Sequence, residues 1–280
     1  MGYHYAACNL AASIRVHAFH DAPDVRIVLH TDSRDKVPAT HRFLFDEIRT
    51  LDAGIVGGGV LYGAGYVKAR LYDIVDEGDS LFIDADTIVL KDIRPLLADL
   101  SKQKKPLLCE VLGKGTVKKD LPYFPWATPE AVIAKVGKDG PLFDVQTSWI
   151  FIRKPKAAKL ADAVFAAFGS WDRAETIGKW GHGIPDELAY TTGLASEGYD
   201  PTYVPGVMFF GSTTMESTAK MKEQYYMLTL YGQGMGKTHT LKVYFDWYDR
   251  LMYGVYMNLG MGHLYKASRI MADKYVNTTK

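Results

Sequence analysis

Two carboxylates one residue apart, Asp84 and Asp86, have the clearest potential for chemistry in this sequence. They follow apolar residues at 81–83, and such a run is typical of a strand buried on both faces of a sheet. A strand of this kind delivers its next residues to the carboxyl edge of the sheet, where open α/β folds bind ligands. Carboxylate oxygens suit Mg²⁺ or Mn²⁺, which would in turn hold a diphosphate. The pair therefore predicts a metal-diphosphate site, and the alternative is a solvated turn.

The elements that must position this pair alternate along the chain. Apolar periodicity predicts helices over residues 3–20, 40–50, 64–77, 92–100, 129–136, 155–168 and 186–195. It predicts strands over residues 24–30, 81–83, 105–111, 145–152 and 225–231. Asp186 is the predicted N-cap of its helix, and the glycines at 57–59 predict a flexible loop. This alternation predicts an α/β fold with a mostly parallel central sheet and helices on both faces.

The composition is that of an ordinary globular protein. The chain has 280 residues, of which 48% are hydrophobic and 23% charged, enough for one large α/β domain with an extension. A net charge of +1 gives no field for gathering nucleic acid or an anionic membrane. Cys8 and Cys109 lie among apolar neighbours and are expected to be small buried residues of a reducing compartment. No signal peptide or membrane span is visible, so we expect a cytoplasmic protein.

The residues after 240 are rich in Tyr and Met and read as helical. We therefore expect a main domain over residues 1–240 and a helical C-terminal extension over residues 241–280. The aromatic, amphipathic stretch at 244–253 favours a packed helix or a homodimer contact. Docking on a membrane surface is the alternative, although basic residues are few.

Several short motifs occur in a fixed order along the chain. They are Lys68-Ala69-Arg70-Leu71, then Leu81-Phe82-Ile83-Asp84-Ala85-Asp86, then Gln146-Thr147-Ser148 at the start of a strand, then Asp186-Glu187 at a helix start, and finally residues 231–237. This ordered set resembles the GT-A fold glycosyltransferases. It is most similar to the family-eight type, which includes glycogenin and bacterial galactosyltransferases.

The resemblance implies a GT-A fold and a metal-dependent transfer of sugar with retention of anomeric configuration. The donor would be a nucleoside-diphosphate sugar, and we expect a UDP-sugar. The cofactor would be Mn²⁺ or Mg²⁺. The acceptor is left open between a glycan, a lipid-linked sugar, a protein and a modified nucleic acid. Two other functions remain open, a catalytically decayed nucleotide-sugar-binding protein and a nucleotidyltransferase of related fold.

The metal and donor ligands that the resemblance implies come from three parts of the chain. Asp84 and Asp86 would hold the metal, and His239 would supply the ligand for which the family uses a His at the position of Tyr231. Arg70, Gly234, Lys237 and Asp84 would bind the donor. A P-loop is an alternative for residues 232–238, but the first glycine that it requires falls on Tyr231.

The catalytic residues that the resemblance implies are Asp186, Glu187 and Gln146. Glu187 stands where the family has Gln, near the reacting sugar carbon, and Gln146 could bond sugar hydroxyls. Each has a purely structural alternative as well. An Asp at a helix start often serves as a cap, and the guanidinium of Arg70 could serve a structural ion pair.

Overall fold

The computed structural model describes residues 2–18, 25–116, 126–137, 141–176, 183–203, 207–210, 223–229 and 251–264. Its helices are α1 (Gly2–Ala18), α2 (Ala53–Tyr62), α3 (Ala64–Ala69), α4 (Leu71–Ile74), α5 (Arg94–Lys102), α6 (Pro129–Val136), α7 (Ala158–Ser170) and α8 (Asp186–Ser196). Its strands are β1 (Val28–Thr31), β2 (Glu47–Thr50), β3 (Asp79–Ile83), β4 (Thr87–Val89), β5 (Leu107–Thr116), β6 (Pro141–Arg153), β7 (Met208–Phe210) and β8 (Met227–Thr229). Residues 251–258 are helical as well.

Most predicted elements are confirmed, but the segment before β3 is organised differently. The glycines at 57–59 form no loop, because they lie inside α2, whose N-cap Asp52 accepts a hydrogen bond from Gly54 N. The helix predicted over residues 64–77 is interrupted at Arg70 and forms α3 and α4. Residues 40–50 form a 3₁₀ segment and then β2 rather than a helix.

The chain divides into two compact units. The first unit comprises Met1–Thr50, Asp84–Asp99 and Gly206–Lys280, and the second comprises Leu51–Ile83 and Leu100–Pro205. The boundary predicted at residue 240 stays a prediction, because residues 230–250 lie outside the described part of the chain.

In the first unit, α1 packs on β4 around an apolar core. Buried members of that core include Cys8, Ala11, Ile88, Met252 and Tyr256. Ser13 Oγ accepts a hydrogen bond of 2.9 Å from Val89 N, and this bond attaches α1 to the backbone of β4. The Tyr256 hydroxyl donates a 2.7 Å bond to Asn9 Oδ1 inside the same core. In this unit β1 and β2 pair in parallel, while β8 pairs antiparallel with β4 and parallel with β7.

In the second unit, β3, β6 and β5 form an antiparallel sheet with β6 in the centre. The prediction of a mostly parallel central sheet is not confirmed, since the described strands make three antiparallel and two parallel pairs. The sequence pattern misled because an antiparallel strand covered on both faces is as uniformly apolar as a parallel one. Helices α3, α7 and α8 cover one face of this sheet and bury Cys109, Val145 and Ile150.

The pairing of β5 with β6 is interrupted near the middle of β6. Cys109 pairs with Ile150, whereas the next residue, Glu110, pairs with Gln146. Thr147, Ser148 and Trp149 are therefore skipped by the β5 ladder. Irregularities of this kind re-aim side chains and are frequent next to functional sites.

Helices α7 and α8 approach closely because one residue at their contact has no side chain. A Cβ atom added to Gly193 would lie 2.6 Å from Val164 Cα and 2.8 Å from Ala163 O, and both are backbone atoms. Backbone cannot rotate away as the end of a flexible side chain can. The glycine at this position is therefore a packing requirement of the second unit.

Replacing Gly193 by Ala should lower the free energy of unfolding by about 1–3 kcal/mol, because the added methyl group forces the two helices apart. Urea unfolding followed by circular dichroism measures the change. Gly169→Ala in α7 is the matched control, since nothing lies within 4 Å of its added Cβ. That control should stabilise the protein by up to about 1 kcal/mol. Equal effects of the two variants would contradict the packing argument.

Candidate functional site

In the described part of the second unit, an ion pair between Lys68 of α3 and Asp186 at the start of α8 is shielded on both sides. Lys68 Nζ lies 2.7 Å from Asp186 Oδ2, and the two side chains are only 16% and 15% exposed. Shielding strengthens the attraction between the charges, and it makes either charge costly to leave alone. The ion pair therefore holds the end of α3 against the start of α8, because breaking it would leave a shielded charge without a partner.

Thr147, in the irregular part of β6, completes this cluster. Its hydroxyl donates a hydrogen bond to Asp186 Oδ2. Lys68 Nζ lies 3.4 Å from both the hydroxyl and the carbonyl oxygen of Thr147. The Tyr190 hydroxyl donates a 3.0 Å bond to the backbone carbonyl of Lys68, which fixes α3 against α8. We call Lys68, Thr147 and Asp186 the carboxylate cluster.

A close backbone approach makes the cluster possible. A Cβ atom added to Gly65 would lie 2.2 Å from Ile184 O and 3.2 Å from Asp186 N. Because Gly65 has no side chain, α3 can lie directly against the start of α8. Lys68 is one helical turn further along α3 and so reaches the Asp186 carboxylate.

Electrostatics keep the Asp186 carboxyl ionised. Burial alone would raise the pKa of Asp186, but the charge of Lys68 and the hydrogen bonds from Lys68 and Thr147 outweigh burial and hold the pKa below its ordinary value of 3.8. The N-terminus of α8 favours negative charge as well. Asp186 is the first residue of that helix and not its N-cap as predicted, since the cap position is Pro185. At neutral pH the cluster therefore presents a fixed carboxylate.

The other predicted catalytic residues take different positions. Gln146 is 6% exposed, and strand alternation places it on the face of β6 opposite Thr147. Glu187 is 7% exposed within α8, nearly all of which is buried. The catalytic roles of Gln146 and Glu187 stay predictions.

Arg70 has structural partners in the second unit. Its guanidinium forms an ion pair with Asp73 and lies 4.7 Å from the centre of the Phe165 ring. The structural alternative of an ion pair therefore has direct support. A contact between Arg70 and a donor phosphate stays a prediction. Within the motif of residues 68–71, it is Lys68 that reaches Asp186.

Asp84 and Asp86 belong to the first unit and lie in the tight turn that precedes β4. Thr87 N donates a 3.1 Å hydrogen bond to Asp84 O and closes this turn, and both aspartates are partly exposed. Two carboxylates in one turn fit a hard divalent cation that takes further oxygen ligands from a diphosphate or from water. Among the described residues there is no group of three or more His, Cys, Asp or Glu side chains that could hold a metal by itself.

The remaining predicted ligands belong to the segment that follows β8. Gly234, Lys237 and His239, together with Tyr231, lie outside the described residues. Of the strand predicted over residues 225–231, β8 covers Met227–Thr229.

Comparison with known proteins gives a likeness to a solved structure but no match by sequence. No protein-family model matches the chain, and no curated protein sequence matches it. A solved structure described as the apo form of WbbM, a bifunctional glycosyltransferase, is similar with a TM-score of 0.51 at 13% sequence identity. The match covers 82% of this chain and 44% of that one, so this chain spans less than half the length of the protein that it matches. At this identity the likeness shows a shared mixed α/β fold, and membership of family eight stays a prediction.

In the described residues no helix is long and apolar enough to cross a membrane. The two cysteines are buried free thiols, as expected, and burial raises the pKa of Cys8 to about 12. A homodimer contact through the C-terminal residues stays a prediction.

Sequence reasoning missed two members of the carboxylate cluster, Lys68 and Thr147. Lys68 belongs to the same motif as Arg70, but no sequence signal indicates that Lys68 pairs with Asp186 while Arg70 pairs with Asp73. Thr147 looked like an ordinary strand residue, because its register irregularity is created by the pairing of two distant segments. Gly65 carried a weak signal, as a glycine inside a predicted helix often marks close packing.

Lys68→Met should reduce the free energy of unfolding by about 3 kcal/mol, because it leaves a shielded carboxylate without its cation. Urea unfolding at neutral pH measures the loss. Lys159→Met is the matched control, since Lys159 Nζ lies 2.5 Å from Glu197 Oε2 but its side chain is 81% exposed. Removing that surface pair should change stability by less than about 1 kcal/mol.

The pH dependence of the Lys68→Met effect tests its cause. In the wild type the pKa of Asp186 is lowered from 3.8, so the stabilising pair is present above that value and is lost as pH falls through the folded pKa. In the variant, burial is unopposed by Lys68 and raises the carboxyl pKa, so stability falls as pH rises. The gap between the two proteins should therefore be widest at neutral pH and shrink near pH 3.8. A gap that is constant with pH would mean that lost packing explains the effect.

Proposed function

We propose that this protein is a metal-dependent glycosyltransferase that moves a sugar from a nucleoside-diphosphate sugar to an acceptor. The observation that carries the proposal is the carboxylate cluster. A fixed, ionised Asp186 stands at a helix start, at the position where the family-eight resemblance places a residue beside the reacting sugar. A fold shared with a glycosyltransferase structure supports the same class of reaction.

The chemistry of glycosyl transfer suits such a carboxylate. When the bond between the anomeric carbon and the diphosphate breaks, positive charge develops on the sugar ring. A fixed carboxylate next to that ring stabilises the charge without reorganising in the transition state. Lys68 and Thr147 act as positioning residues here, since they hold the Asp186 carboxylate ionised and in one orientation.

Asp84 and Asp86 would hold the divalent cation. Once bound, the cation supplies Lewis-acid stabilisation of the leaving diphosphate. The turn closed by the Thr87 N–H carries both carboxylates, at positions separated only by Ala85. Retention of anomeric configuration and a UDP donor are supported by the family resemblance and by no described contact.

Asp86→Asn should abolish metal-dependent donor binding, because it removes one of the two anionic oxygen donors. Thermal unfolding of the wild type with UDP, UDP-glucose and UDP-galactose, each with and without Mn²⁺, gives the reference. Ligands that bind the folded state alone raise its apparent stability. Asp35→Asn is the control, since that side chain is 96% exposed. A shift that needs nucleotide and Mn²⁺ together, lost in Asp86→Asn alone, is the expected result.

No shift with any nucleotide sugar would overturn the proposed function. A shift that survives in Asp86→Asn would instead remove the assignment of the metal to this turn. Binding without turnover would favour a catalytically decayed nucleotide-sugar-binding protein.

Asp186→Asn should lower kcat for release of UDP from the active UDP-sugar by about 10²–10³-fold, because it removes the charge that the transition state uses. UDP affinity should stay within about threefold of the wild type, since the nucleotide is not expected to contact this carboxylate. Chromatographic measurement of released UDP gives kcat, and titration calorimetry gives the affinity. An unchanged kcat would sink the catalytic role of Asp186.

A further inference from the structure

The carboxyl end of β1 carries a cluster of polar side chains to which the proposed function gives no role. Thr31 is the last residue of β1, and Asp32 follows it. His4, in the first turn of α1, contacts both, since its Nε2 lies 3.1 Å from Thr31 Oγ1 and 3.4 Å from Asp32 Oδ1. Lys36 Nζ donates a hydrogen bond to Asp32 Oδ2. We call His4, Thr31, Asp32 and Lys36 the strand-end cluster.

The fold leaves this cluster open to a ligand. Strands β1 and β2 pair in parallel, and open α/β folds bind ligands outside the carboxyl ends of such strands. The side chains of His4 and Asp32 are 22% and 40% exposed, whereas Thr31 is buried. The Asp32 carboxylate is therefore held by its neighbours and still reachable from solvent.

The Asp32 carboxylate also has room for further hydrogen bonds. A carboxylate has about four acceptor positions. The contacts at Oδ1 are long, 3.4 Å from His4 Nε2 and 3.3 Å from Thr31 Oγ1, whereas charge-assisted bonds usually measure about 2.7–2.9 Å. The hydrogen bond from Lys36 holds the pKa of Asp32 below its ordinary value of 3.8, so the group is ionised at neutral pH. It can accept strong bonds from hydroxyl groups of a ligand.

The strand-end cluster belongs to the same compact unit as the turn that carries Asp84 and Asp86. Ala85, between those aspartates, packs against the apolar core that includes Cys8 of α1. The same helix carries His4 in its first turn. One helix thus supports both the metal turn and the strand-end cluster, as two ends of a single ligand would require.

We propose that Asp32 binds the ribose hydroxyl groups of the nucleoside-diphosphate donor. For the class of ligand this inference rests on the proposed function. The 2′ and 3′ hydroxyls of ribose are neighbouring donors, and the two oxygens of one carboxylate can accept from them. An acidic residue bonds ribose in this way in dinucleotide-binding folds. His4 and Lys36 are positioning residues, since they contact different oxygens of Asp32.

A ribose suits the strand-end cluster better than an ion does. His4 and Lys36 could attract a phosphate, but the ionised Asp32 carboxylate that both contact would repel it. A divalent cation would have to displace the ammonium group of Lys36 from the same carboxylate. A neutral diol donates hydrogen bonds and meets neither obstacle.

The test measures the affinities of UDP and 2′,3′-dideoxy-UDP by titration calorimetry with Mn²⁺, for the wild type and for Asp32→Ala. The wild type should bind UDP at least about tenfold more tightly than the dideoxy nucleotide, because the latter loses hydrogen bonds to a charged acceptor. In Asp32→Ala the two affinities should agree within about twofold, and dideoxy-UDP should bind as it does to the wild type. Asp35→Ala is the matched control, since that side chain is 96% exposed, and it should keep the preference for UDP.

Two results would overturn the ribose assignment. One is a preference for UDP that is the same in Asp32→Ala as in the wild type. The other is an equal loss of affinity for both nucleotides, which would mean that Asp32 acts on the base, on the phosphates or on the fold. Asp32→Asn keeps the size of the side chain, so it should unfold in urea like the wild type and show an intermediate preference for UDP. A full preference in Asp32→Asn and Asp32→Ala alike contradicts the proposal.

The same measurements separate this inference from the proposed function. A ribose preference that depends on Asp32, without turnover of any UDP-sugar, would keep the ribose site and remove the transferase. Turnover of a UDP-sugar with a ribose preference independent of Asp32 would do the reverse. Failure of the wild type to bind either nucleotide would overturn both.

Discussion

The ion pair between Lys68 and Asp186 is the interaction on which the arrangement of the second unit depends. It joins the end of α3 to the start of α8 in surroundings where either charge alone would be strongly unfavourable. Thr147 brings the central strand of the sheet to the same point. Three elements that are far apart in the sequence are thereby fixed to one carboxylate, and the orientation of that carboxylate follows from all three.

Close contacts between backbones make this arrangement possible. Gly65 lets α3 reach the first residue of α8, and Gly193 lets α8 pack on α7. The ion pair is therefore held by a frame of three helices, α3, α7 and α8, whose close spacing depends on glycines at their contacts. A frame of this kind holds a group to within a fraction of an ångström, as electrostatic stabilisation of a transition state requires.

The elements were largely predictable from the sequence, whereas their pairing was not. Helices α6, α7 and α8 follow from local periodicity and from local signals such as Pro129 at a helix start. The sheet was expected to be parallel because an apolar run reports burial and not strand direction. The skipped residues at 147–149 arise from the register between β5 and β6, which no local pattern records. Asp186 was found from sequence, but Lys68, its partner, could be identified only once α3 was seen against α8.

The way the first unit is assembled from the chain has a consequence for biosynthesis. Its core joins residues from three separate segments, and the hydrogen bond from Tyr256 to Asn9 spans 247 positions of sequence. A ribosome must therefore extend the chain past Tyr256 before α1 can complete its core. The second unit needs nothing beyond Pro205 and can acquire its contacts earlier. Until Tyr256 is synthesised, the apolar face of α1 stays partly uncovered, and exposed apolar surface of this kind makes a growing chain prone to aggregation.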